Sequence, residues 1–452
     1  ATASGVVVYP PVQVVSGTSI TGYFSTIQAA INSASTAAGS TVNVAAGTYA
    51  ENLVIEKSVA LRGPNAAKSG TDATRVAEAA IVPAASAVWS EMIQVKASGV
   101  SIEGFTLDAD NTALAASTTV TVSGATADAS EAITAYYAGV NNLVVRNNVV
   151  QNFDYFGVTI YPYYASGAIP AAQPNSGHVI ADNLFRNFGT YAGESAFWGG
   201  AVLLYNNAYA QVTGNTMSNV RIGVQTGNFH LASPDAGFAH AISGNTITAR
   251  RRGVFNNLFY SAATGFPVAS NTITGVMNAS ETVFDGILVS SYSVPVAHTG
   301  NTVSAGDVTN PSDGIEVWNS AASAPGVTIA GGSVAGFTRG LFLNNYEGYN
   351  TDSSTGAIAT ASGMSISGCT TGIEVRDSAL STLHGPVSLA FGSGMTVSGG
   401  TTGLLVTNAA ASVSSVGDAS FSGQTGNYIA LAGNASAIDA TGATFGGATG
   451  AT

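Results

Sequence analysis

Three consecutive arginines, Arg250, Arg251 and Arg252, stand in the stretch TARRRGVFNN at residues 248–257. The whole chain has only 13 lysines and arginines among its 452 residues, so a run of three is unexpected. A guanidinium group can bind an anionic ligand, pair with a carboxylate of the protein, or lie in solvent at a turn. The first question that the sequence raises is which of these roles the arginines have.

Two aspartates stand in positions similar to that of Arg252. Asp285 and Asp313 each precede a glycine in a similar local sequence, and Arg339 does the same. If these positions stack, they form a column in the order Arg252, Asp285, Asp313, Arg339, with about 5 Å between neighbours. Two carboxylates at that separation suit a retaining glycosidase pair or a calcium site. A ladder in which each aspartate is neutralised by an arginine needs no substrate, and we favour it.

The element that must stack these positions is an internal repeat of roughly 30 residues. Five segments share an apolar residue at the fourth position and a glycine at the tenth: 214–227, 244–257, 331–344, 363–376 and 394–407. Less regular copies begin near Asn148, Asn183, Asn271 and Asn301. Short alternating strands separated by glycine and asparagine turns are typical of the coils of a parallel β-solenoid.

The N-terminal region resembles a known family. The stretch YFSTIQAAINSA (23–34) has apolar residues at helical spacing and precedes GTYAENLVIEKSVALRGPN (47–65). This order resembles the first coils of the pectin-lyase-like right-handed parallel β-helix superfamily. The asparagine and glycine repeats resemble its carbohydrate-binding and sugar-hydrolase repeat type.

The resemblance implies an all-β, single-stranded, right-handed parallel β-helix of roughly a dozen coils with a short N-terminal capping helix. Residues 23–452 are expected to form this single domain. Residues 1–22 are expected to form an extended arm that the first coil does not need and that pairs with a neighbouring subunit.

The superfamily includes lyases, hydrolases, esterases, epimerases, tailspikes, adhesins and surface-layer proteins, so the fold does not define one activity. The catalytic motifs of its galacturonan hydrolases, pectin esterases and mannuronan epimerases are missing from the sequence. NTA at 111–113 lacks the aspartate of the hydrolase motif, and SPDAG at 233–237 lacks the histidine of the epimerase motif. A lyase needs only a base and a charge neutraliser, so this activity stays open.

Arg250 is the exceptional member of its column in the repeat alignment. The alignment places it with apolar or small residues such as Phe153, Val220 and Val276. Burying an unpaired guanidinium costs roughly several kcal/mol. We therefore expect a bulge that carries Arg250 outward. The alternatives are an inward arginine paired with an acid and a catalytic or ligand-binding arginine, and Arg252, Asp285 and Asp313 are the other catalytic candidates.

The strand after the repeat glycine is predicted to have a largely apolar outer face. One outward column reads Thr159, Leu203, Gln225, Phe255, Leu288, Glu316, Phe342, Glu374 and Leu405. Such a surface needs a cover, which could be aromatic loops of the same chain, a protein partner or a glycan. In a glycan-binding groove, the sugar rings would stack on Tyr161, Tyr205 and Trp318, and Glu316 and Glu374 would supply polar contacts.

Composition and charge favour an extracellular protein. Charged residues make up 8% of the chain and the net charge is −12, which disfavours nucleic acid as a partner. The single cysteine, Cys369, excludes an internal disulfide framework, and no apolar run predicts a membrane span. The chain begins without a leader sequence, so an exported protein would already have lost its signal.

These features favour a secreted cell-surface structural or adhesive protein that contacts glycans and self-assembles as a surface layer, sheath or filament. The expected contacts of a homo-oligomer are the N-terminal arm, the coil ends and the apolar outer strand. The alternative is an extracellular polysaccharide lyase or glycoside hydrolase, and the sequence leans against an enzyme. No cofactor is expected unless calcium binds Asp285 and Asp313.

Overall fold

The computed structural model describes residues 9–87, 90–115, 118–120, 123–163, 175–189, 199–206, 208–227, 239–258, 267–277, 281–291, 296–318, 326–345, 356–377 and 385–446. The chain divides into two compact units, unit 1 (Ala1–Tyr163 and Pro174–Gly199) and unit 2 (Tyr164–Gln173 and Gly200–Thr452). In the described part of the chain, no helix is long and apolar enough to cross a membrane. The predicted boundary of a single domain at residue 23 stays a prediction.

Unit 1 is built mainly of parallel strand stacks, and each stack takes one strand from each successive coil of the chain. Its elements are β1 (Val12–Ser16), β2 (Ser19–Phe24), α1 (Ile27–Asn32), β3 (Ser40–Val44), β4 (Gly47–Ala50), β5 (Leu53–Ile55), β6 (Val59–Arg62), β7 (Ala79–Val82), β8 (Glu91–Val95), β9 (Ser101–Glu103), β10 (Thr106–Asp108), β11 (Thr118–Thr119), β12 (Thr126–Ala127), β13 (Glu131–Tyr137), β14 (Val144–Arg146), β15 (Val149–Gln151), β16 (Phe156–Tyr163), β17 (Asn175–Ala181) and β18 (Leu184–Arg186). The parallel stacks are β3-β6-β9-β14-β17, β4-β7-β10-β15-β18 and β5-β8-β13-β16.

The N-terminal segment is tied to the first coil. The Thr26 side chain caps α1 by accepting a hydrogen bond from the Ala29 N–H, and Ile27 and Ile31 are buried. Strand β1 pairs antiparallel with β2 on one edge and with β3 on the other. The expectation that the first coil does not need this segment was therefore wrong for β1. Assembly through the arm stays a prediction.

Unit 2 repeats the same arrangement over more coils. Its strands are β19 (Gly200–Tyr205), β20 (Ala208–Thr213), β21 (Thr216–Gly227), β22 (Ala241–Ser243), β23 (Thr246–Leu258), β24 (Val268–Ala269), β25 (Thr272–Gly275), β26 (Phe284–Ser291), β27 (Val296–Thr299), β28 (Thr302–Ser304), β29 (Ser312–Trp318), β30 (Val327–Ala330), β31 (Ser333–Ala335), β32 (Arg339–Asn344), β33 (Ala357–Ser362), β34 (Ser365–Ser367), β35 (Thr371–Arg376), β36 (Val387–Phe391), β37 (Thr396–Ser398), β38 (Thr402–Thr407), β39 (Ala411–Ser412), β40 (Ser420–Ser422), β41 (Asn427–Ala432) and β42 (Thr444–Gly446). The stack that carries the site is β19-β21-β23-β26-β29-β32-β35-β38-β41. The predicted parallel β-helix is confirmed.

The asparagine anchors of the repeat form a ladder that fixes the register of unit 2. The backbone N–H groups of Asn215, Asn245 and Asn271 each donate to the side-chain oxygen of the next asparagine at 3.0 Å, and the last acceptor is Asn301. The Nδ2 groups of the same three residues also donate to those oxygens. All four asparagines are buried, so these bonds satisfy polar groups that water cannot reach.

The repeat glycine is required by close packing between coils. A Cβ on Gly286 would lie 2.2 Å from Val303 Cγ1 and 2.5 Å from the carbonyl oxygen of Gly314. Any side chain here would force the coils apart. After the glycine, an inward aliphatic column is in register and buried: Val202, Val224, Val254, Ile287, Ile315, Leu341, Ile373 and Leu404.

Candidate active site

The predicted ladder of charges is present on β23, β26, β29 and β32. Arg252 pairs with Asp285, Asp285 with Asp313, and Asp313 with Arg339 in the strand register. Arg252 Nε donates to Asp285 Oδ2 at 2.8 Å. Arg339 Nε and Nη2 donate to the two oxygens of Asp313 at 2.6 and 2.7 Å. The side chains of Asp285 and Asp313 are only 4% and 6% exposed, so both carboxylates depend on their arginines.

Glu316 adds a third carboxylate that sequence reasoning had placed only among the sugar contacts. Oxygens of Asp285, Asp313 and Glu316 all lie within 4.8 Å of one another. Asp313 and Glu316 are three residues apart on β29, so strict alternation would assign them to opposite faces, yet their carboxylate oxygens lie within 4.8 Å of each other. The side chain of Glu316 is partly exposed. The site therefore has three carboxylates between two arginines.

The excess carboxylate is expected to hold a proton. Burial, followed by the charges of Asp313 and Asp285, raises the pKa of Glu316 well above its ordinary value. Burial also raises the pKa of Asp313 to about 6, although the bonds from Arg339 oppose this shift. Asp285 and Asp313 both accept charged hydrogen bonds from arginines, whereas Glu316 belongs to none of the ion pairs of the described residues, so Glu316 is the carboxyl group of the three that most readily takes up a proton.

A protonated glutamate beside an ionised aspartate can perform acid and nucleophile chemistry. Both oxygens of Asp313 are bound by Arg339, whereas Arg252 Nε bonds only Oδ2 of Asp285. In such a reaction Asp285 would be the better nucleophile and Glu316 the acid. One oxygen of each lies within 4.8 Å of an oxygen of the other, which is compatible with the short carboxyl separation, roughly 5 Å, of retaining glycosidases.

The same three carboxylates have the oxygen donors that a calcium ion prefers, and Glu316 would extend the predicted pair of ligands. Arginines already neutralise Asp285 and Asp313, however, and a bound cation would have to share both carboxylates with them. The calcium site stays a prediction.

The outer column next to the site is in register as predicted, and most of its members are buried. Leu203, Gln225, Phe255, Leu288, Phe342 and Glu374 are all 3% exposed or less. Phe342 lies between Glu316 and Glu374 in the strand register. The guanidinium carbon atoms of Arg339 and Arg376 lie 3.7 and 5.2 Å from the centre of its ring. Arg376 Nε donates to Glu374 at 2.7 Å. Glu374 thus belongs to a separate ion pair.

The predicted aromatic platforms do not form one row. Tyr205 and Trp318 share a column of unit 2 but are four strands apart, or about 19 Å. Trp318 lies two residues from Glu316 on β29, so it alone is adjacent to the carboxylates. Tyr161 belongs to unit 1, where its ring contacts Tyr136 edge to face at 6.0 Å. The aromatic loops predicted to cover the outer strand lie largely outside the described residues.

Arg250 does not occupy the apolar column in which the repeat alignment placed it. Val220 pairs with Ala249, and Ile222 pairs with Arg252, so Arg250 and Arg251 oppose the single residue Arg221. This two-to-one register is a β-bulge, and Ala249 takes the inward position. The strand has a bulge at this point, but Arg250 is only 2% exposed, so the bulge does not carry it into solvent as expected. The alignment of Arg250 with Val220 was wrong by one residue.

Unit 1 holds a second group of carboxyls that the sequence did not indicate. Thr159 Oγ1 donates to Glu131 at 2.5 Å, and the Tyr136 hydroxyl donates to its other oxygen. Glu91 occupies the paired position on β8. Burial raises the pKa of Glu131 to about 7 and that of Asp154 to about 6. The repeats of these coils are irregular, so the pairing of the two glutamates follows from the strand register and not from the sequence.

The sequence pattern of a family described as a protein of unknown function, DUF1565, matches residues 190–275. No curated protein matches the chain. Solved structures that are similar include the catalytic unit of a GH87 α-1,3-glucanase from Streptomyces thermodiastaticus, at 14% identity and TM-score 0.42, covering 92% of this chain and 63% of that one. The chain thus spans less than two thirds of the glucanase unit.

Two further solved structures are similar at the same level. An alginate lyase from Paenibacillus sp. is 14% identical with TM-score 0.34, covering 75% of this chain and 92% of that chain. The A-module of mannuronan C-5 epimerase AlgE6 from Azotobacter vinelandii is 13% identical with TM-score 0.39, covering 93% and 94%. Similarity at this level does not identify catalytic residues. A function is therefore inferred from the geometry of the carboxylates.

Proposed function

We propose that this protein is a polysaccharide-cleaving glycoside hydrolase whose active site is formed by Asp285, Asp313 and Glu316. The observation that carries the proposal is the third carboxylate. Asp285 and Asp313, each paired with an arginine, would suffice for a structural ladder. Glu316 adds an ionisable group within 4.8 Å of both and, among the ion pairs of the described residues, takes part in none. Such a costly arrangement is characteristic of catalytic sites.

The geometry supports a double-displacement reaction. Glu316 donates its proton to the glycosidic oxygen while an oxygen of Asp285 bonds to the anomeric carbon and the carbon–oxygen bond to the leaving sugar breaks. Glu316, now ionised, then takes a proton from water, whose oxygen attacks the same carbon and releases Asp285. Arg252 orients Asp285, and Arg339 holds Asp313 as a fixed negative charge that keeps the proton on Glu316.

Trp318 is the residue best placed to support the sugar, because it follows Glu316 on the same strand and is partly exposed. An aromatic ring beside a carboxyl pair is a common platform for a pyranose face. A polymeric substrate agrees with the extracellular location expected from composition, which stays a prediction.

The structural or adhesive role expected from the sequence also stays a prediction. One argument for it was an apolar outer face in need of a partner. Leu288 and Phe342 on that face are 1% and 2% exposed in the single chain, so no partner is needed to shield them from water.

The proposal is tested by incubating the protein with neutral and acidic polysaccharides and measuring reducing ends. Glu316→Gln is expected to lower the rate about 1,000-fold while preserving the shape of the side chain. Glu103→Gln removes a buried, arginine-paired carboxylate in unit 1 and serves as the control, with a rate near that of the unaltered protein. Equal rates for Glu316→Gln and the unaltered protein, or no release from any polysaccharide, would contradict the proposal. Unsaturated products would indicate a lyase instead.

A further inference from the structure

We propose that unit 1 binds a polysaccharide on the outward face of the sheet formed by β2, β1, β3, β6, β9 and β14. This surface shares no residue with the carboxylate site. That the bound polymer is also the substrate rests on the proposed hydrolase function, whereas the binding surface rests only on its own side chains.

A row of large polar and aromatic side chains crosses this face. The strand register pairs one residue of each strand with one of the next, in the order Tyr23, Gln13, Asn43, Arg62, Glu103 and Arg146. The valines on either side of Gln13 and Asn43 are buried, so the row points away from the core. Neighbours in the row are one strand spacing apart, about 4.8 Å.

Aromatic rings and amides form one end of the row. Gln13 Nε2 donates to the Tyr23 hydroxyl at 3.2 Å, and Asn43 Nδ2 donates to Gln13 Oε1 at 3.4 Å. The Tyr9 ring stacks on the Tyr23 ring with a centroid separation of 4.3 Å. Tyr9 is 58% exposed. This end of the row therefore presents an ordered aromatic pair beside two amides at the surface.

The other end of the row has more positive than negative charge. Glu103 lies between Arg62 and Arg146, with nitrogen–oxygen distances of 3.5 and 3.3 Å. The two arginine side chains are 48% and 46% exposed, and that of Glu103 is 5% exposed. One carboxylate neutralises only one of the two arginines. Since each guanidinium group has five N–H donors, both arginines keep donors for a ligand at an accessible surface.

The equivalent row of unit 2 shows that the fold does not require such side chains. Arg146 stands two residues before Asn148, the anchor of its repeat copy. The row that passes through the same repeat position in unit 2 contains only short residues: Thr213, Ser243, Ala269, Thr299, Ala330 and Ser362. Coils therefore stack without long side chains at this position. Two arginines in the row of unit 1 are a large share of the 13 lysines and arginines of the chain.

The chemistry of the row fits a glycan. Aromatic rings pack against the faces of sugar rings, and amide and guanidinium donors bind their oxygens. The next outward row of the same strands has short side chains against which a sugar chain can lie: Val15, Thr41, Ala60, Ser101 and Val144. The binding groups recur once per strand, as sugar units recur along an extended polymer. A protein partner would instead favour an apolar centre with few charges.

The test measures retardation of the protein in native gels that contain dextran, xylan, hydroxyethylcellulose or pectate. All variants are made on Glu316→Gln, so that the polymer stays intact whether or not the protein is a hydrolase. We expect at least one polymer to retard the parent, and Tyr23→Ala to bind it at least about tenfold more weakly. Tyr23→Phe keeps the ring and should bind within about twofold of the parent. Tyr137→Ala removes a tyrosine that is 45% exposed outside the row and should have no effect.

Two further variants keep the test independent of folding. Tyr9 lies outside the strands, so Tyr9→Ala should fold normally and weaken binding in the same direction as Tyr23→Ala. Arg146→Gln should also weaken binding, and most strongly for the acidic polymer pectate. Its matched control is Arg186→Gln, which removes an exposed arginine of β18 outside the row and should bind as the parent does.

Equal retardation of Tyr9→Ala, Tyr23→Ala and the Tyr137→Ala control would overturn the inference, as would the absence of retardation by all four polymers. A dimer in sedimentation that Tyr9→Ala dissociates, with unchanged retardation, would make the row a contact between two copies instead. A protein that binds through the row but releases no reducing ends would contradict the hydrolase function alone. A protein that hydrolyses a polysaccharide, but whose row variants bind normally, would contradict the binding surface alone.

Discussion

Each unit contains a buried or partly buried glutamate whose pKa is raised, but the surroundings of the two differ. Glu131 in unit 1 accepts hydrogen bonds from two hydroxyl groups, those of Thr159 and Tyr136. Glu316 in unit 2 lies beside two aspartates whose charges are held by Arg252 and Arg339. The first glutamate is hydrogen-bonded by neutral hydroxyl groups, with the carboxyls of Glu91 and Asp154 nearby, whereas the second lies beside carboxylates that are paired with arginines.

The comparison separates two ways of holding a carboxyl group in a β-helix. Around Glu131 both oxygens already have donors, so protonation affects mainly the stability of the fold. Around Glu316 the two arginines are hydrogen-bonded to Asp285 and Asp313. In the proposed reaction, the proton of Glu316 is therefore available for transfer to a substrate. A raised pKa alone does not distinguish the two glutamates, whereas their partners do.

The largest expected effect concerns the proposed nucleophile. Asp285→Asn should reduce hydrolysis roughly 10,000-fold, because an amide cannot form the covalent intermediate. Glu131→Gln should leave the rate within about twofold, because its site has no role in the reaction. Steady-state rates of both variants measure the contrast. A large loss of rate for Glu131→Gln would place the active site in unit 1 instead.

The next effect concerns stability. Arg252→Gln leaves Asp285 buried beside Asp313 without its counter-charge, and should lower the free energy of unfolding by about 3 to 5 kcal/mol. Arg376→Gln breaks a pair whose arginine side chain is 39% exposed, so its loss should be clearly smaller. Denaturant unfolding monitored by circular dichroism compares the two. Equal losses of unfolding free energy in the two variants would mean that burial of the ladder arginine does not increase its contribution to stability.

A third prediction uses the pH dependence of stability. The pKa of Glu131 is about 7 in the fold against an ordinary value of 4.5, so the native state binds this proton more tightly than the unfolded chain does. Its contribution is therefore full below pH 4.5 and is lost as the pH rises to about 7, by up to about 3 kcal/mol. Glu131→Gln should remove that part of the decline. An unchanged pH profile of the unfolding free energy would show that Glu131 titrates normally.

The smallest effect concerns sugar stacking. Trp318→Ala should raise KM about tenfold with little change in kcat, because stacking acts equally on the ground state and the transition state. Trp318→Phe keeps a ring and should restore most of the affinity. A fall in kcat with unchanged KM would mean that Trp318 positions Glu316 rather than the substrate.

The sequence allowed the ladder of Arg252, Asp285, Asp313 and Arg339 to be predicted because each residue precedes a glycine of the repeat. The close contact between coils permits only glycine there, so the glycines align the coils reliably. Arg250 was placed one residue away from its true position because the bulge adds a residue that an ungapped repeat alignment cannot show.

The position of Glu316 beside the aspartates and the group of carboxyls around Glu131 were missed for different reasons. Simple alternation assigns Asp313 and Glu316 to opposite faces, whereas in the structure their carboxylate oxygens lie within 4.8 Å of each other. Glu131 lies in coils with irregular repeats, where no column could be drawn. Its partners, Tyr136 and Thr159, become neighbours only through the strand register.

The asparagine ladder also bears on how this chain could change during evolution. Successive asparagines are 26 residues apart from Asn245 to Asn271 and 30 residues apart from Asn271 to Asn301, yet the bonds between them are nearly identical. The ladder therefore absorbs insertions and deletions between its members without a change in register. Whole coils can be duplicated or lost, and loops lengthened, while the carboxylates of the neighbouring stack keep their spacing.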